Sequence, residues 1–179
     1  LFYLAVRKIQ IIYNLKISVV IPTIGNRNLH KTLNSICNSS KKVDEIILSV
    51  PPGYKTFRNN FQAYKNLKIH ISKTKGQVAQ RIEGFIKAKN KFVMQMDDDI
   101  VLEKNCLRLM YDFINKNKTA AVSAHFHDII SKKSIYTNKK NLSYSNYFFL
   151  TELNFFKNNF ISEVYNKIKF IDDKKQQGT

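Results

Sequence analysis

The stretch Phe92-Val-Met-Gln-Met-Asp97-Asp98-Asp99 passes from an apolar run directly into three carboxylates. A short apolar run of this kind, bounded by polar residues, is typical of a strand that is buried on both faces of a sheet. A second run, Ile17-Ser-Val-Val-Ile21, has the same character and ends at Pro22, which cannot continue a central strand. We therefore expect two central strands, one of which ends at the acids.

The segments around these two runs alternate between strand and helix patterns. Strand character recurs in three further segments, at residues 45–50, 67–71 and 120–126. Apolar residues at helical spacing predict three helices, which begin near Leu29, Val78 and Leu102. Residues 57–64 are a weaker helix candidate. Because such alternation needs crossover connections, it predicts an α/β fold with a mostly parallel sheet and helices on both faces.

The composition suits one globular domain with a sizeable core and a basic surface. The chain has 179 residues, of which 44% are hydrophobic, and no Gly-rich or Pro-rich linker divides it. The net charge of +17 implies attraction to polyanions such as phosphate-bearing ligands or anionic membranes, although a Lys-rich and Asn-rich composition produces the same charge without any binding function. The basic residues are dispersed and form no recognition motif, so we expect no nucleic-acid partner.

The pattern divides the chain into three parts. Residues 1–15 are an N-terminal segment of uncertain role, and residues 16–142 are the domain of alternating strands and helices. Residues 143–179 are an aromatic-rich part that we expect to be helical. Because the chain starts with Leu1, we expect it to be a fragment of a longer protein. The two cysteines, Cys37 and Cys106, lack metal-ligand spacing and favour a reducing compartment. We expect a cytoplasmic location, including the cytoplasmic face of the membrane.

The three carboxylates are candidates for a metal site. In a parallel sheet the ligand crevice lies beyond the carboxyl ends of the strands, which places the acids on one rim with the loop after Pro22. Mg²⁺ or Mn²⁺ takes one or two carboxylates together with waters and phosphate oxygens. On an extended segment Asp97 and Asp99 face one side and Asp98 faces the other. The alternative is a solvated turn before a helix, where acids also suit the helix dipole.

Three motifs in order resemble family 2 of the glycosyltransferases, which are inverting enzymes of the Rossmann-like GT-A fold. The first motif, Ile17-Ser-Val-Val-Ile-Pro-Thr23, resembles the opening strand of the family. The second motif, Gly76-Gln-Val-Ala-Gln-Arg81-Ile-Glu-Gly84, resembles the family segment that usually reads Ala-Arg-Asn-x-Gly. The third, Lys91-Phe-Val-Met-Gln-Met-Asp-Asp-Asp99, resembles the family strand that carries the Asp-x-Asp motif. The resemblance covers roughly residues 16–126, and it implies a nucleotide-sugar-binding GT-A domain over residues 16–142. Because most members of the family are longer, it also implies that residues 143–179 are a truncated acceptor region.

The resemblance implies an activity and roles for individual residues. A sugar would pass from a nucleotide-diphosphate donor to a glycan or lipid-linked acceptor. The basic surface and the aromatic C-terminal run fit peripheral membrane association, and they fit simple core packing at least as well. Asp99 would coordinate Mn²⁺ or Mg²⁺, Asp97 would contact the donor or support the metal, and Arg81 would lie near the diphosphate. Three residues would line the nucleotide pocket: Pro22, Thr23 and Arg27. Asp98 is a further donor-binding candidate. The metal ion and Arg81 would stabilise the departing nucleoside diphosphate.

Two features depart from the family pattern. The second strand ends in Ser49-Val-Pro-Pro-Gly53, where the family usually has an acid that reads the base. No convincing catalytic base follows the Asp-x-Asp segment; Glu152, Glu163 and Asp128 are candidates only by elimination. A truncated or degenerate nucleotide-sugar-binding domain without turnover therefore stays open as an alternative. A nucleotidyltransferase is a further one, although the loop after Pro22 is a poor match to the Gly-rich, basic phosphate loop of that class.

Overall fold

The structure is a computed structural model that describes residues 16–25, 28–54, 61–117, 121–124, 127, 130–131 and 149–153. Within this part of the chain a single mixed sheet is flanked by three helices. None of the helices in these segments combines the length and the apolarity that a membrane crossing needs. The weak helix candidate at residues 57–64 lies mostly outside the described residues, and its last part, Phe61–Tyr64, is a turn.

The sheet has six strands in the described segments, in the order β3-β2-β1-β4-β6-β5. In chain order they are β1 Ile17–Pro22, β2 Glu45–Val50, β3 Leu67–Ile71, β4 Phe92–Gln95, β5 Ala121–Val122 and β6 Phe149–Glu152. β1 pairs in parallel with β2 and with β4, and β2 pairs in parallel with β3. β6 runs antiparallel to β4 and to β5. The predicted mostly parallel sheet is confirmed, with an antiparallel side added to it.

Helices cover both faces of the sheet, as predicted. They are α1 Leu29–Cys37, α2 Gln77–Lys87 and α3 Cys106–Asn117. α1 and α3 bury Leu33 and Leu107 in one large core cluster, together with Val19 of β1. α2 buries Phe85 on the opposite face, against Val20 of the same strand. Because neighbouring residues of β1 enter different cores, its sequence reads as a continuous apolar run and not as an alternating one.

α2 lies unusually close to the centre of the sheet at Gly84. A Cβ atom at this position would overlap Cγ1 of Val20, and it would also touch the side chain of Ser49. Both neighbours are buried residues of the central strands β1 and β2. Glycine is therefore required here by space, and its close approach sets the height of α2 above the carboxyl halves of these strands.

A buried carboxylate ties the amino ends of the strands together. Glu45, which is 5% exposed, accepts hydrogen bonds from Ser18 Oγ at 2.8 Å, from Lys68 Nζ at 2.8 Å and from the backbone N–H of Lys89 at 3.2 Å. Burial raises the pKa of the Glu45 carboxyl, but these hydrogen bonds outweigh it and hold the pKa below its usual value. This edge of the sheet is thus stabilised by a charge, on the side away from the acids that follow β4.

The expected helical state of the aromatic-rich part is wrong for residues 149–152, which form β6. Leu150 lies opposite Met94 of β4 and is fully buried. The hydrogen-bonding groups of β4 on this side need a partner strand, and β6 supplies it, which local sequence pattern does not reveal. The rest of residues 143–179, apart from Leu153, lies outside the described residues. Of the strand expected at residues 120–126, the structure shows Ala121–Val122; Ser123 and Ala124 are not in a strand, and residues 120, 125 and 126 lie outside the described residues.

The helical faces also differ from the apolar pattern. Val78 and Ile86 belong to the apolar spacing that predicts this helix, which places them toward the core, but they are 51% and 44% exposed, whereas Gln80 is 1% exposed. α2 is therefore rotated so that Gln80 and Gly84, four residues apart, face the sheet. The third helix begins at Cys106, later than the expected Leu102.

Candidate functional site

A cavity of about 300 Å³ opens at the carboxyl ends of β1 and β4. The chain leaves β1 toward β2 on one side of the sheet and returns to β4 on the other, so this is the point where the strand order switches. Three segments line the cavity: Pro22–Ile24 after β1, Gln77 and Gln80 of α2, and Asp97–Asp99 after β4. The structure thus brings together the three motifs that the sequence singled out.

Thr23 is the junction of the wall that β1 contributes. Its backbone N–H donates to Ser49 O at 3.0 Å, which joins the ends of β1 and β2. Its hydroxyl donates to Asp98 Oδ2 at 2.6 Å and accepts from the backbone N–H of Gly25 at 2.9 Å. Gly25 has a φ of 75°, which favours glycine. The loop after β1 is therefore fastened to the acidic segment through one buried side chain.

The acidic segment is turned and not extended. β4 ends at Gln95, and the backbone N–H of Ile100 reaches back to Asp97 O at 3.4 Å. Because of this turn the side chain of Asp98 lines the same cavity as its neighbours, so the expectation that it points away is wrong. Thr32 of α1 also donates to the backbone carbonyl of Asp98 at 3.0 Å. Asp98 is thereby held by its side chain and by its main chain.

Arg81 and Asp97 form an ion pair at the edge of the cavity. Arg81 Nη2 lies 2.7 Å from Asp97 Oδ1, and the two side chains are 12% and 21% exposed. Partial burial strengthens a charge-assisted hydrogen bond of this kind relative to one on the open surface. The sequence expected Arg81 near a diphosphate, and the structure places it beside the acidic segment, where it compensates one of the three like charges.

Gln77 and Gln80 are site residues that sequence reasoning missed, and Gln80 is the buried one. Its Nε2 donates to Thr23 O at 2.9 Å and to Ser49 O at 2.6 Å, so it joins the ends of β1 and β2 from above. A signal for it does exist in the sequence. Gln80 precedes Gly84 by four residues on a helix, so a glycine that permits close packing against the sheet points to a sheet-facing glutamine as well.

The three acids suit a metal ion that brings its other ligands with it. Asp97 is engaged by Arg81 and Asp98 by Thr23, while Asp99 is the exposed member of the three. Among the described residues, no three His, Cys, Asp or Glu side chains are arranged to hold a metal ion. Mg²⁺ and Mn²⁺ accept one or two carboxylates when phosphate oxygens and waters complete the shell. The residues present therefore fit a cation that arrives with a phosphate ligand.

The remaining candidates lie away from the cavity or outside the described residues. Glu152 pairs in register with Phe92 at the start of β4, about 10 Å along the strand from its last residue, Gln95, at 3.3 Å per residue. Its carboxylate lies 3.5 Å from Lys91 Nζ, so the structure does not bring it to the acids. Arg27, Asp128 and Glu163 lie outside the described residues.

Comparisons with known proteins agree with this arrangement. A family model described as glycosyl transferase family 2 matches residues 18–174. The search of curated proteins returned no match.

Among solved structures, the chain is similar to S. aureus TarS 1-349 in complex with UDP, with a TM-score of 0.65 and 17% identity over 81% of this chain and 49% of that one. The complex of the same protein with UDP-GlcNAc gives a TM-score of 0.62 and 17% identity, over 81% of this chain and 47% of that one. The chain thus spans about half the length of these structures. At this identity the likeness concerns the fold, and it confirms the predicted GT-A type.

Proposed function

Because the chain belongs to family 2 of the glycosyltransferases, we propose that the cavity between β1, α2 and the acidic segment binds a nucleotide-sugar donor. The chain is then the donor-binding domain of an enzyme that transfers the sugar, with inversion, to a glycan or lipid-linked acceptor. The observation that carries the proposal is the meeting of Arg81, Asp97 and Asp99 at the rim of a strand-order switch. That rim is where open α/β sheets bind their ligands.

The charges of the rim suit a diphosphate and a cation together. A diphosphate alone would be repelled by three carboxylates, and a cation alone would find few ligands. Asp99 and, beside it, Asp97 would hold Mn²⁺ or Mg²⁺. When bound, the ion neutralises charge on the departing nucleoside diphosphate. Arg81 holds Asp97 in place and contributes a second positive charge at the same edge.

The opposite wall of the cavity suits the nucleoside. Pro22 and Ile24 offer apolar surface, Gln77 offers an amide, and Thr23 fixes the loop that carries them. Asp98 keeps this wall in place through its bond to Thr23. Arg27 belongs to the same loop in the sequence and is proposed as a donor-binding residue on the resemblance alone. UDP is our first candidate nucleotide, since complexes of the similar fold contain UDP and UDP-GlcNAc.

A thermal shift assay tests donor binding. Ligand at about 100 times its Kd adds about 2.7 kcal/mol of stability, which raises the Tm of a domain of this size by roughly 5–10 °C. We expect that rise with UDP plus Mn²⁺ and little rise with UDP plus EDTA. Asp99→Ala should lose the metal-dependent part, whereas Asp112→Ala, an exposed acid of α3 paired with Arg108, should keep it. Donor binding is ruled out if UDP, GDP and dTDP all leave the Tm unchanged with Mn²⁺.

Donor binding without turnover is the second candidate function, and the position of Glu152 favours it. In-line attack by an acceptor hydroxyl needs a base within hydrogen-bonding reach of its proton. Glu152 lies in β6 opposite the first residue of β4, at the end of the strand away from the acids. The other two candidates, Asp128 and Glu163, lie outside the described residues. Release of UDP from UDP-GlcNAc over time, in the presence of cell-envelope glycan extracts, supports turnover; tight binding without release supports the second candidate. The cytoplasmic location and peripheral membrane association stay predictions, which cell fractionation tests.

A further inference from the structure

Gln80 is a buried amide on the face of α2 that packs against the sheet. It faces the sheet from α2 and is 1% exposed. A buried amide is unfavourable unless it is hydrogen bonded, and here both hydrogens of Nε2 are used, one on Thr23 O and one on Ser49 O. Both partners are carbonyl oxygens, so the nitrogen and not the oxygen of the amide must face them. Gln80 thus acts as a fixed bracket over the ends of two neighbouring strands.

The bracket acts on a residue whose side chain reaches the acids. Gln80 holds the carbonyl of Thr23, and the hydroxyl of Thr23 donates to Asp98 Oδ2 at 2.6 Å. Threonine is branched at Cβ and has few allowed χ1 angles, so the position of its backbone determines where its hydroxyl lies. A shift of the Thr23 carbonyl therefore moves the partner of the Asp98 carboxylate.

The next residue of α2 acts on the same segment by a second route. Arg81 Nη2 contacts Asp97 Oδ1 at 2.7 Å, while Gln80 reaches Asp98 through Thr23. Two consecutive residues of one helix thus orient two consecutive acids. From these contacts we infer that Gln80 is a positioning residue of the donor site, which acts through Thr23 to hold the acidic segment in its binding geometry. The inference rests on the proposed donor binding.

The direct test is the affinity for UDP with Mn²⁺, measured by isothermal titration calorimetry. Gln80→Met keeps the length of the side chain and removes both donors. We expect a Kd about tenfold higher, which corresponds to the loss of one net hydrogen bond. Phe85→Leu is the matched control, because Phe85 lies on the same helix, in the core between α2 and the sheet. It should lower Tm and leave Kd unchanged.

A double-mutant cycle separates positioning from a general loss of structure. Thr23→Val removes the hydroxyl that bonds Asp98 and keeps the branched shape. If Gln80 acts through Thr23, the double variant binds UDP about as weakly as the weaker single variant, because the second change breaks a link already lost. If the fold-increases in Kd of the two single variants multiply in the double variant, as they do for independent sites, the inference is contradicted.

The outcomes distinguish this inference from the proposed function. If the wild type binds none of UDP, GDP and dTDP with Mn²⁺, the proposed function fails, and the inference fails with it. If the wild type binds and Gln80→Met binds equally well, only the inference fails. Should Gln80→Met not fold, Gln80→Glu replaces it: once protonated, its carboxyl regains one donor, so its Kd relative to wild type should improve as the pH falls. A ratio of Kd values that is independent of pH contradicts the inference.

Discussion

Gly84→Ala should destabilise the protein although alanine is the better helix former. In the middle of a helix, alanine is favoured over glycine by about 0.5–1 kcal/mol. The added Cβ, however, would overlap Cγ1 of Val20, which belongs to the fully buried central strand β1. Overpacking of this kind costs roughly 1–3 kcal/mol, because Val20 has little freedom to move away. The overlap should win, with a net loss of about 1–2 kcal/mol.

Chemical and thermal denaturation measure this loss. A net loss of about 1–2 kcal/mol lowers Tm by roughly 2–8 °C in a domain of this size. The double variant with Val20→Ala, which removes the overlapping methyl group, should be more stable than the sum of the two single effects predicts. An unchanged or higher Tm for Gly84→Ala, or strictly additive effects with Val20→Ala, would refute the close approach of α2 to β1.

Three further predictions concern single side chains. Arg81→Met should raise the Kd for UDP with Mn²⁺ at least about tenfold in calorimetry, since charge-assisted hydrogen bonds are the stronger ones; Arg108→Met, on the exposed face of α3, should not. Glu45→Gln should lower the free energy of unfolding at pH 7 in urea titrations. Hydrogen bonds lower the pKa of Glu45 in the folded protein, so the loss of stability has its full size above the ordinary glutamate pKa of about 4.3. It vanishes as the pH falls through the lower pKa of the folded state. A loss of stability that persists in acid contradicts the hydrogen bonding of Glu45. Burial raises the pKa of Cys106 to about 11. In a Cys37→Ser variant, a thiol reagent at pH 8 should therefore react slowly with Cys106 until the chain is unfolded. Rapid reaction of the folded protein would show that the thiol is accessible.

The strands that the sequence predicted well are those with a local pattern of apolar residues. β2 and β3 have the predicted bounds, since the continuous apolar run of β2 and the alternation of β3 are local signals. β6 was mistaken for helix because a four-residue strand carries little local signal and depends on its pairing with β4. The inward face of α2 was also mistaken, because Gly84 lets the helix approach the sheet with Gln80 inward and Val78 outward.

The candidate site was predictable as a meeting of motifs but not as a set of contacts. The carboxyl ends of parallel strands share an edge, which was enough to bring Pro22 and Asp97 to one cavity. The orientation of Asp98 was not accessible, because it follows from a turn after β4 and from the hydroxyl of Thr23. The contact with Thr23 joins segments that are far apart in the sequence. A donor such as the amide of Gln80 can be recognised only when its acceptors, two strand-end carbonyls, are in place.

The central claim is that this rim binds a nucleoside diphosphate and a divalent cation together, with Asp99 as a ligand of the ion. Electron paramagnetic resonance of Mn²⁺ tests it most directly, because the signal of free Mn²⁺ falls when the ion is bound. We expect the protein with UDP to remove much more free Mn²⁺ than the protein alone or UDP alone, and Asp99→Ala to abolish this excess. Mn²⁺ binding that UDP does not enhance, or that Asp99→Ala retains, would contradict the account.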